Sequence, residues 1–164
     1  HPAVLGSCNG LRHHRTVALD PAALGRIHHD AMKIVLANGC FDLLHPGHVA
    51  HLQEARAMGD YLIVALTLDE FVNKGLGRPI YKWEQRALLL RELRCVDQVS
   101  PTTNGSDAIL KWRPAIFVKG RDYLSTPYSE DIISVCAKTK TELRHTTTDM
   151  FSATETIRRA TEGK

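Results

Sequence analysis

Two histidines, His45 and His48, lie three positions apart at the end of the stretch NGCFDLLHPGH (residues 38–48). The apolar run before this stretch is typical of a short buried strand, and the amphipathic pattern that begins at His48 predicts a helix. Amide groups at a helix N-terminus carry partial positive charge and unpaired donors, so such a place suits a phosphate. Gly47 lets the backbone approach a ligand, and Pro46 has no amide to lose. The pattern therefore predicts an anion site flanked by two imidazoles.

Other interpretations of the two histidines are surface polar groups, a helix cap or a zinc site. The next histidine, His51, shares no face with cysteines or carboxylates at the spacing of structural zinc sites. The phosphate interpretation is favoured because the motif directly follows a predicted strand and opens a predicted helix, as phosphate-binding motifs do.

Composition is ordinary for a soluble globular domain, with 43% hydrophobic and 24% charged residues in a chain of 164. A net charge of +3 suits an anionic substrate but is too weak to indicate nucleic acid, and we expect none as a partner. No apolar run approaches the ~18 residues of a membrane span, so we expect no membrane partner. The four cysteines are scattered without a C-x-x-C motif, which favours free thiols and a cytoplasmic location.

Strand and helix patterns alternate along most of the chain. Strands are predicted at 33–38, 61–67, 96–99, 115–119 and 141–145, and helices at 48–58, 83–94, 106–112, 130–138 and 152–161. This alternation predicts an α/β fold: a doubly wound, Rossmann-like, five-stranded parallel sheet with helices on both faces, in a single domain. Ligands of such sheets bind beyond the carboxyl ends of the strands.

The predicted domain covers residues 32–164 and is preceded by an extension, residues 1–31, of unclear role. A short helix is plausible over 20–27, and the remainder of the extension is expected to be solvated or loosely packed. Its two histidine pairs have no ligand spacing that would support a metal site.

Residues 39–48 closely resemble the G-x-F-D-x-x-H-x-G-H motif of the cytidylyltransferase-like nucleotidyltransferases. These include glycerol-3-phosphate cytidylyltransferase and the adenylyltransferase domain of the ADP-heptose synthases. The class I aminoacyl-tRNA synthetases carry a related motif, but the chain is short for one and lacks a K-M-S-K-S loop. The resemblance implies that His45 and His48 stabilise the transition state at the α-phosphate. It also implies nucleotide-binding roles for neighbouring residues, namely Gly39, Cys40, Phe41, Asp42 and Gly47. For Asp42 the alternative is a purely structural hydrogen bond within the loop.

The loop after the second predicted strand has basic residues, as it does in the family. We expect this loop to close over the triphosphate, where Lys74 has a catalytic role in neutralising charge and Arg78 contributes less. The alternative is a surface loop with two solvated cations. The following WEQR (83–86) resembles the family's E-x-R helix start. The resemblance implies that Arg86 points to the phosphates or braces the site, while an ordinary helix-surface arginine is the alternative.

Two further segments resemble family motifs. KGRDY (119–123) matches K-G-x-D-Y of the heptose-type adenylyltransferases, which implies that Lys119 and Asp122 contact nucleotide or acceptor; a plain glycine turn is the alternative. The family's S-T-T before the final helix corresponds to Ser152, Ala153 and Thr154, so one hydroxyl is replaced. Ser152 could also be an ordinary N-cap. The preceding TTDMF (147–151) lacks the arginine and glycine of cytidylyltransferases, which favours ATP over CTP.

Together these features predict a nucleotidyltransferase that transfers a nucleoside monophosphate from a nucleoside triphosphate to a phosphorylated sugar or alcohol. Mg²⁺ is expected to arrive with the triphosphate and not to have a protein cage of its own. The sequence leaves the oligomeric state open, with a homodimer as one alternative because family members are often dimers. Two alternatives remain: a CTP-dependent enzyme acting on glycerol 3-phosphate or a similar alcohol phosphate, and a non-catalytic nucleotide-binding domain.

Overall fold

A computed structural model describes residues 17–22, 32–121, 128–148 and 153–162. Five strands form one parallel sheet in the order β3-β2-β1-β4-β5. They are β1 (Ile34–Gly39), β2 (Tyr61–Thr67), β3 (Gln98–Thr102), β4 (Ile116–Lys119) and β5 (Glu142–His145). The predicted doubly wound sheet is therefore confirmed. Its shortest strands are β4 and the edge strand β5.

Five α-helices accompany the strands in the described residues. They are α1 (Pro46–Arg56), α2 (Trp83–Arg91), α3 (Gly105–Trp112), α4 (Glu130–Thr139) and α5 (Ala153–Glu162), with a short 3-10 helix at Asp69–Phe71. Among these, no helix combines the length and apolar character that crossing a bilayer requires.

The third strand lies two to three residues later than predicted. Residues 98–102 pair with β2, from Ile63 opposite Gln98 to Thr67 opposite Thr102. The apolar Val96, which suggested an earlier start, instead packs against the core from a turn. Pro101 fits within β3 because this is an edge strand, where a missing ladder donor is tolerated.

Side chains of β1 alternate between two hydrophobic cores, one on each face of the sheet. Val35 and Ala37 pack in the core that α1 and α2 cover, whereas Ile34 and Leu36 pack in the core that includes Ile109 of α3. Continuous apolar strands are the expected consequence of a sheet covered on both sides. The prediction of helices on both faces is confirmed.

The strand order reverses at β1, which lies between β2 and β4. The chain runs outward from β1 to β3, then returns through α3 to place β4 on the other side of β1. Loops that follow β1, β2 and β4 therefore meet at the carboxyl edge, where the fold creates a crevice.

Part of the predicted extension packs against the amino edge of this sheet, opposite the crevice. Leu19 N–H donates to Gln98 Oε1 at 2.8 Å, and Gln98 Nε2 donates to Leu19 O at 3.1 Å. Tyr61 Oη donates to Val17 O at 3.2 Å. Residues 17–22 are thus docked where β2 and β3 begin; the histidine pairs and most of the plausible helix at 20–27 lie outside the described residues.

Candidate nucleotide site

The two motif histidines lie side by side where α1 begins. His45 is the N-cap: its backbone oxygen and its Nδ1 accept from the His48 N–H at 2.9 and 3.3 Å. The imidazole rings stack with centroids 3.7 Å apart and an interplanar angle of 19°. Because His45 Nδ1 accepts a hydrogen bond, the neutral ring carries its proton on Nε2. His45 therefore offers an Nε2–H donor next to the helix N-terminus.

Gly39 is required by a close approach and not by a turn. It is the last residue of β1, one residue beyond the predicted end of this strand. A Cβ at Gly39 would lie 2.9 Å from Cε2 of Phe41, which itself has a left-handed φ of 46°. The Phe41 ring in turn contacts the edge of His48, with centroids 5.1 Å apart. Glycine at this position thus allows the aromatic ring that supports His48.

Both imidazoles are held neutral by their surroundings. His48 is 9% exposed, and burial, together with the nearby His45, Lys74 and His51, lowers its pKa to about 3. Burial and the positive charge of Lys74 also lower the pKa of His45. In the part of the chain that the structure describes, His48 Nδ1 is buried without a hydrogen-bond partner. An anion near these rings would favour their charged forms, since opposite charge raises a histidine pKa.

His48 lines a cleft of about 250 Å³ at the carboxyl edge of the sheet, whereas His45, which stacks on it, is not among the described lining residues. Six of the residues predicted for the site line it: Gly39, Cys40, Phe41, His48, Lys74 and Lys119. Lys74 is exposed and lies in a loop in which Gly75 and Gly77 have φ values of 93° and 74°. Such conformations favour glycine. The loop can therefore present a lysine to the cleft with little side-chain obstruction.

Cys40 is a half-buried thiol in the same cleft. Burial raises the pKa of this thiol, and this effect outweighs the opposing charges of Lys74 and Arg86. Cys40 is thus a neutral lining group at neutral pH and not a thiolate nucleophile.

Asp42 faces the loop that carries Lys74. Its side chain is 0% exposed and accepts from Arg78 Nε at 2.5 Å, from Ile80 N–H at 3.0 Å and from Tyr81 N–H at 3.2 Å. Burial raises the pKa of Asp42, but the hydrogen bonds from Ile80, Arg78 and Tyr81 together hold it below its ordinary value. Both carboxylate oxygens are thus engaged by the loop, which favours the structural alternative for Asp42 and assigns Arg78 to the same contact.

Arg86 is a buried brace, with 1% of its surface exposed. Its guanidinium donates to the backbone oxygens of Tyr81, Cys40 and Thr67 at 2.9, 2.6 and 2.9 Å. It also pairs with Asp69 at 2.5 Å. These contacts join the loops after β1 and β2 to α2, so the structure favours bracing and excludes a helix-surface arginine.

Lys119 joins β4 to β1 where the strand order reverses. Its ammonium donates to Asn38 O at 3.2 Å and to Asn38 Oδ1 at 2.9 Å, and Gly120 beside it lines the cleft.

Gly47 is buried in the first turn of α1. Ala153 and Thr154 open α5, in the predicted final helix, whereas Asp122 and Ser152 lie outside the described residues.

A family model described as cytidylyltransferase-like matches residues 36–159, which include all five strands except the first two residues of β1. The chain belongs to this family. This membership confirms the prediction that the chain is a nucleotidyltransferase domain. The predicted fold is consistent with the same family.

Relatives of known sequence narrow the resemblance within the cytidylyltransferase-like family. The chain is 47% identical over 106 residues to the bifunctional protein HldE of Helicobacter pylori (strain G27), covering 62% of this chain and 23% of that protein. It is also 47% identical over 95 residues to HldE of Methylococcus capsulatus (Bath), covering 56% and 20%. The predicted resemblance to the adenylyltransferase domain of ADP-heptose synthases is thereby confirmed. The chain spans about a quarter of the length of these relatives.

Solved structures share the fold of this cytidylyltransferase-like domain. A lipopolysaccharide core biosynthesis protein from Thermoplasma volcanium GSS1 matches with a TM-score of 0.59 and 24% identity, covering 74% of this chain and 100% of that one. A bifunctional NMN adenylyltransferase/ADP ribose pyrophosphatase from Francisella tularensis, complexed with AMP and a manganese ion, matches with a TM-score of 0.52 and 18% identity, covering 81% and 42%. At these identities the likeness shows the fold alone.

Several residues that line the cleft were not predicted from the sequence. The cleft also contains Asn38, His51, Thr67, Phe71, Val72, Asn73 and Gly120. His51 lies one helical turn after His48, so the i, i+3 spacing could have placed both on one face. The described residues include no group of three histidine, cysteine or acidic side chains arranged to hold a metal ion.

Proposed function

We propose that this domain transfers a nucleoside monophosphate from a nucleoside triphosphate, with ATP favoured, to a phosphorylated sugar. The observation that carries the proposal is the stacked pair of neutral imidazoles, His45 and His48, at the start of α1 and beside a cleft lined by Lys74. Pure binding of a nucleotide does not need two imidazoles in this arrangement. The pairing therefore favours catalysis over a non-catalytic nucleotide-binding domain.

The reaction that fits this geometry is a displacement at the α-phosphorus. An oxygen of the acceptor phosphate forms the new P–O bond, the bond from the α-phosphorus to the α,β-bridging oxygen breaks, and pyrophosphate leaves with that electron pair. No general base is required, because the acceptor phosphate is already an anion at neutral pH. Catalysis then depends on orientation and on stabilising the charge that develops on the phosphate oxygens.

The histidines supply hydrogen bonds to that developing charge. His45 offers Nε2–H, since its Nδ1 accepts from the backbone of His48. Groups that donate more strongly in the transition state than in the ground state accelerate the chemical step. Lys74 neutralises negative charge on the leaving pyrophosphate, and Mg²⁺ arriving with the triphosphate would supply further positive charge there. Asp42 and Arg86 act indirectly, by positioning the loops after β1 and β2.

Two observations support ATP and a sugar phosphate. The chain resembles the adenylyltransferase domain of ADP-heptose synthases through relatives at 47% identity. In addition, residues 147–151 read TTDMF and lack the arginine and glycine typical of cytidylyltransferases. Homodimerisation and a cytoplasmic location stay predictions; analytical ultracentrifugation of the full chain tests the first.

The decisive experiment measures pyrophosphate release with ATP, CTP, GTP and UTP, each against a panel of sugar and polyol phosphates. Release with ATP and a sugar 1-phosphate is expected. Release with CTP and glycerol 3-phosphate instead would show that the missing arginine does not exclude cytidine. If nucleotides bind while every pair stays silent, the non-catalytic alternative replaces the proposal.

A further inference from the structure

The carboxylate of Glu54 on α1 binds the chain segment that follows β5. Its oxygens accept hydrogen bonds from the Thr147 N–H at 2.8 and 3.0 Å and from the Thr148 N–H at 3.2 Å. The Thr147 hydroxyl donates to Glu54 Oε1 at 3.1 Å. Because a backbone N–H can only donate and an ionised carboxylate can only accept, the direction of these contacts is fixed. Glu54 therefore connects the end of the sheet to the helix that begins at the motif histidines.

The position of Glu54 is unfavourable for a negative charge in the helix alone. Since α1 ends at Arg56, Glu54 lies in its last turn, where the partial negative charge of the helix C-terminus repels a carboxylate. Hydrogen bonds to an ionised group are among the stronger ones, so those from Thr147 and Thr148 offset this repulsion. The segment that Glu54 holds, and not the helix itself, thus accounts for a glutamate at this place.

The segment after β5 starts from a weak part of the sheet. β5 has four residues and is an edge strand, paired with β4. Beyond it, the Thr146 N–H donates to Lys119 O at 3.0 Å, which continues the pairing by one residue. An edge strand is paired on one side only. Glu54 supplies an attachment on another side, to α1.

This segment leads into α5, whose first turn contains two of the predicted nucleotide-binding residues, Ala153 and Thr154. Ala153 follows Thr148 by five residues, and five residues of chain span at most about 18 Å. The place at which Glu54 holds Thr148 therefore limits the place at which α5 can begin. A helix N-terminus attracts phosphate, so its distance from the histidines decides whether both can act on one triphosphate.

We propose that Glu54 is a positioning residue of the nucleotide site. By binding the backbone of Thr147 and Thr148, it sets the start of α5 relative to the start of α1, so that both helix N-termini act on the same triphosphate. This role rests on the function proposed above. Glu54 is not among the described residues that line the cleft, and it acts through the segment that it holds.

Two substitutions of Glu54 remove its hydrogen bonds to different extents. Glu54→Ala removes both acceptor oxygens, whereas Glu54→Gln keeps one oxygen and loses the charge. Both variants are neutral at this position, so a purely electrostatic effect on α1 would be equal in the two, while a loss of acceptors is larger in Glu54→Ala. Gln53→Ala, at the exposed neighbouring position on α1, is the matched control. Circular dichroism of the full chain verifies the folding of each variant.

Binding of α,β-methylene ATP, of inorganic tripolyphosphate and, as a control without phosphate, of adenosine is measured by calorimetry. We expect Glu54→Ala to weaken binding of both phosphate probes by about tenfold and Glu54→Gln by about threefold, the order that a weakened hydrogen bond to the phosphates produces. Gln53→Ala should bind like wild type, and adenosine affinity should not change in any variant. In turnover, Glu54→Ala should raise KM for the triphosphate more than it lowers kcat, because the groups at the α-phosphate are unchanged.

A double-mutant cycle tests the route through α5. Thr154→Ala removes a hydroxyl from the first turn of α5, and the effect of Glu54→Ala on both phosphate probes should shrink in this background. Full additivity of the two effects overturns this route.

Unchanged affinity for the phosphate probes in a folded Glu54→Ala variant, even with a lower melting temperature, shows that Glu54 only stabilises the fold and overturns the positioning role. If Glu54→Ala does not fold, unchanged affinity in Glu54→Gln overturns it instead. An equal loss for adenosine overturns the phosphate assignment. A wild-type protein that binds neither phosphate probe overturns the proposed function itself, which distinguishes the two failures.

Discussion

Asp42 and Arg78 form a buried ion pair, with Arg78 Nε 2.5 Å from Asp42 Oδ2. The pair joins the histidine loop, which follows β1, to the loop that presents Lys74 after β2. Ile80 and Tyr81 donate backbone hydrogen bonds to the same carboxylate. A carboxylate of the histidine motif therefore helps to set the distance between the imidazoles and Lys74, although Asp42 is not among the described residues that line the cleft.

The ion pair between these two loops can be tested by removing the charge of Asp42. Asp42→Asn keeps the shape of the side chain but removes its charge, so the Lys74 loop should be held less tightly. We expect kcat to fall by about 10–100-fold, because small misplacements of catalytic groups lower the rate by about this much. In a Lys74→Ala background the same substitution should cost much less, because the group that it positions is gone. Full additivity of the two effects in steady-state kinetics would contradict this role.

His48→Ala tests the proposed chemistry directly. Removing one donor to a developing charge typically lowers kcat by about 10²–10³-fold. Because His48 stacks on His45, we expect a loss of several orders of magnitude in pyrophosphate release, with the far-UV circular dichroism unchanged. Near-normal release from a folded variant would refute the assignment.

Lys74→Ala should impair catalysis without affecting stability. Lys74 is exposed, so its removal should leave the melting temperature within about a degree or two of wild type. The loss of a positive charge at the leaving pyrophosphate should lower kcat by roughly 10²-fold or more. Lys138→Ala on α4, another exposed lysine that does not line this cleft, is the matched control and should retain wild-type kcat.

Arg86→Ala should unfold the domain more readily. Removing one partner of a buried, charged hydrogen-bond network typically costs about 3–5 kcal/mol, because the remaining acceptors lose their donors. Arg91→Ala on the same helix removes an exposed arginine whose Cζ lies 5.7 Å from the centroid of the Trp83 ring, and it should cost less than about 1 kcal/mol. Urea denaturation compares the two. Equal destabilisation would argue against the bracing role of Arg86.

The low pKa of His48 predicts a stability loss in acid. Its pKa is about 3 in the folded chain against 6.5 as the ordinary value, so the unfolded chain binds more protons between these limits. Stability from this group is complete above pH 6.5 and decreases as the pH falls toward 3, by at most about 1.4 kcal/mol per pH unit. Asp42, whose pKa is lowered from 3.8, adds a further loss at still lower pH.

The measurement is the free energy of unfolding by urea at pH 7.5, 6 and 5. His48→Asn, which cannot titrate, should show a smaller decrease than wild type over this range. A wild-type free energy of unfolding that is flat from pH 7.5 to 5, or one that decreases as steeply in the variant, would show that His48 does not titrate as described.

The sequence alone determined the sheet, the family motif and the position of the histidines. Hydrophobic periodicity is local, so buried strands such as residues 61–67 can be recognised from their own residues, and the glycine and proline around His48 indicate where α1 begins. Boundaries were less certain: β3 lies at 98–102 because pairing with β2, and not local hydrophobicity, selects its residues.

Only the tertiary structure decided what the polar residues near the motif do. Asp42, Arg86 and His51 all lie in or near sequence motifs, but their partners are 17 to 95 positions away: Arg78, Asp69 and Thr146, for example. No local pattern encodes such contacts, because they depend on which loops the sheet order brings to one edge. Side-chain chemistry thus indicated a phosphate site, while the fold decided which of its charged groups are positioned to face the cleft and which hold the loops together.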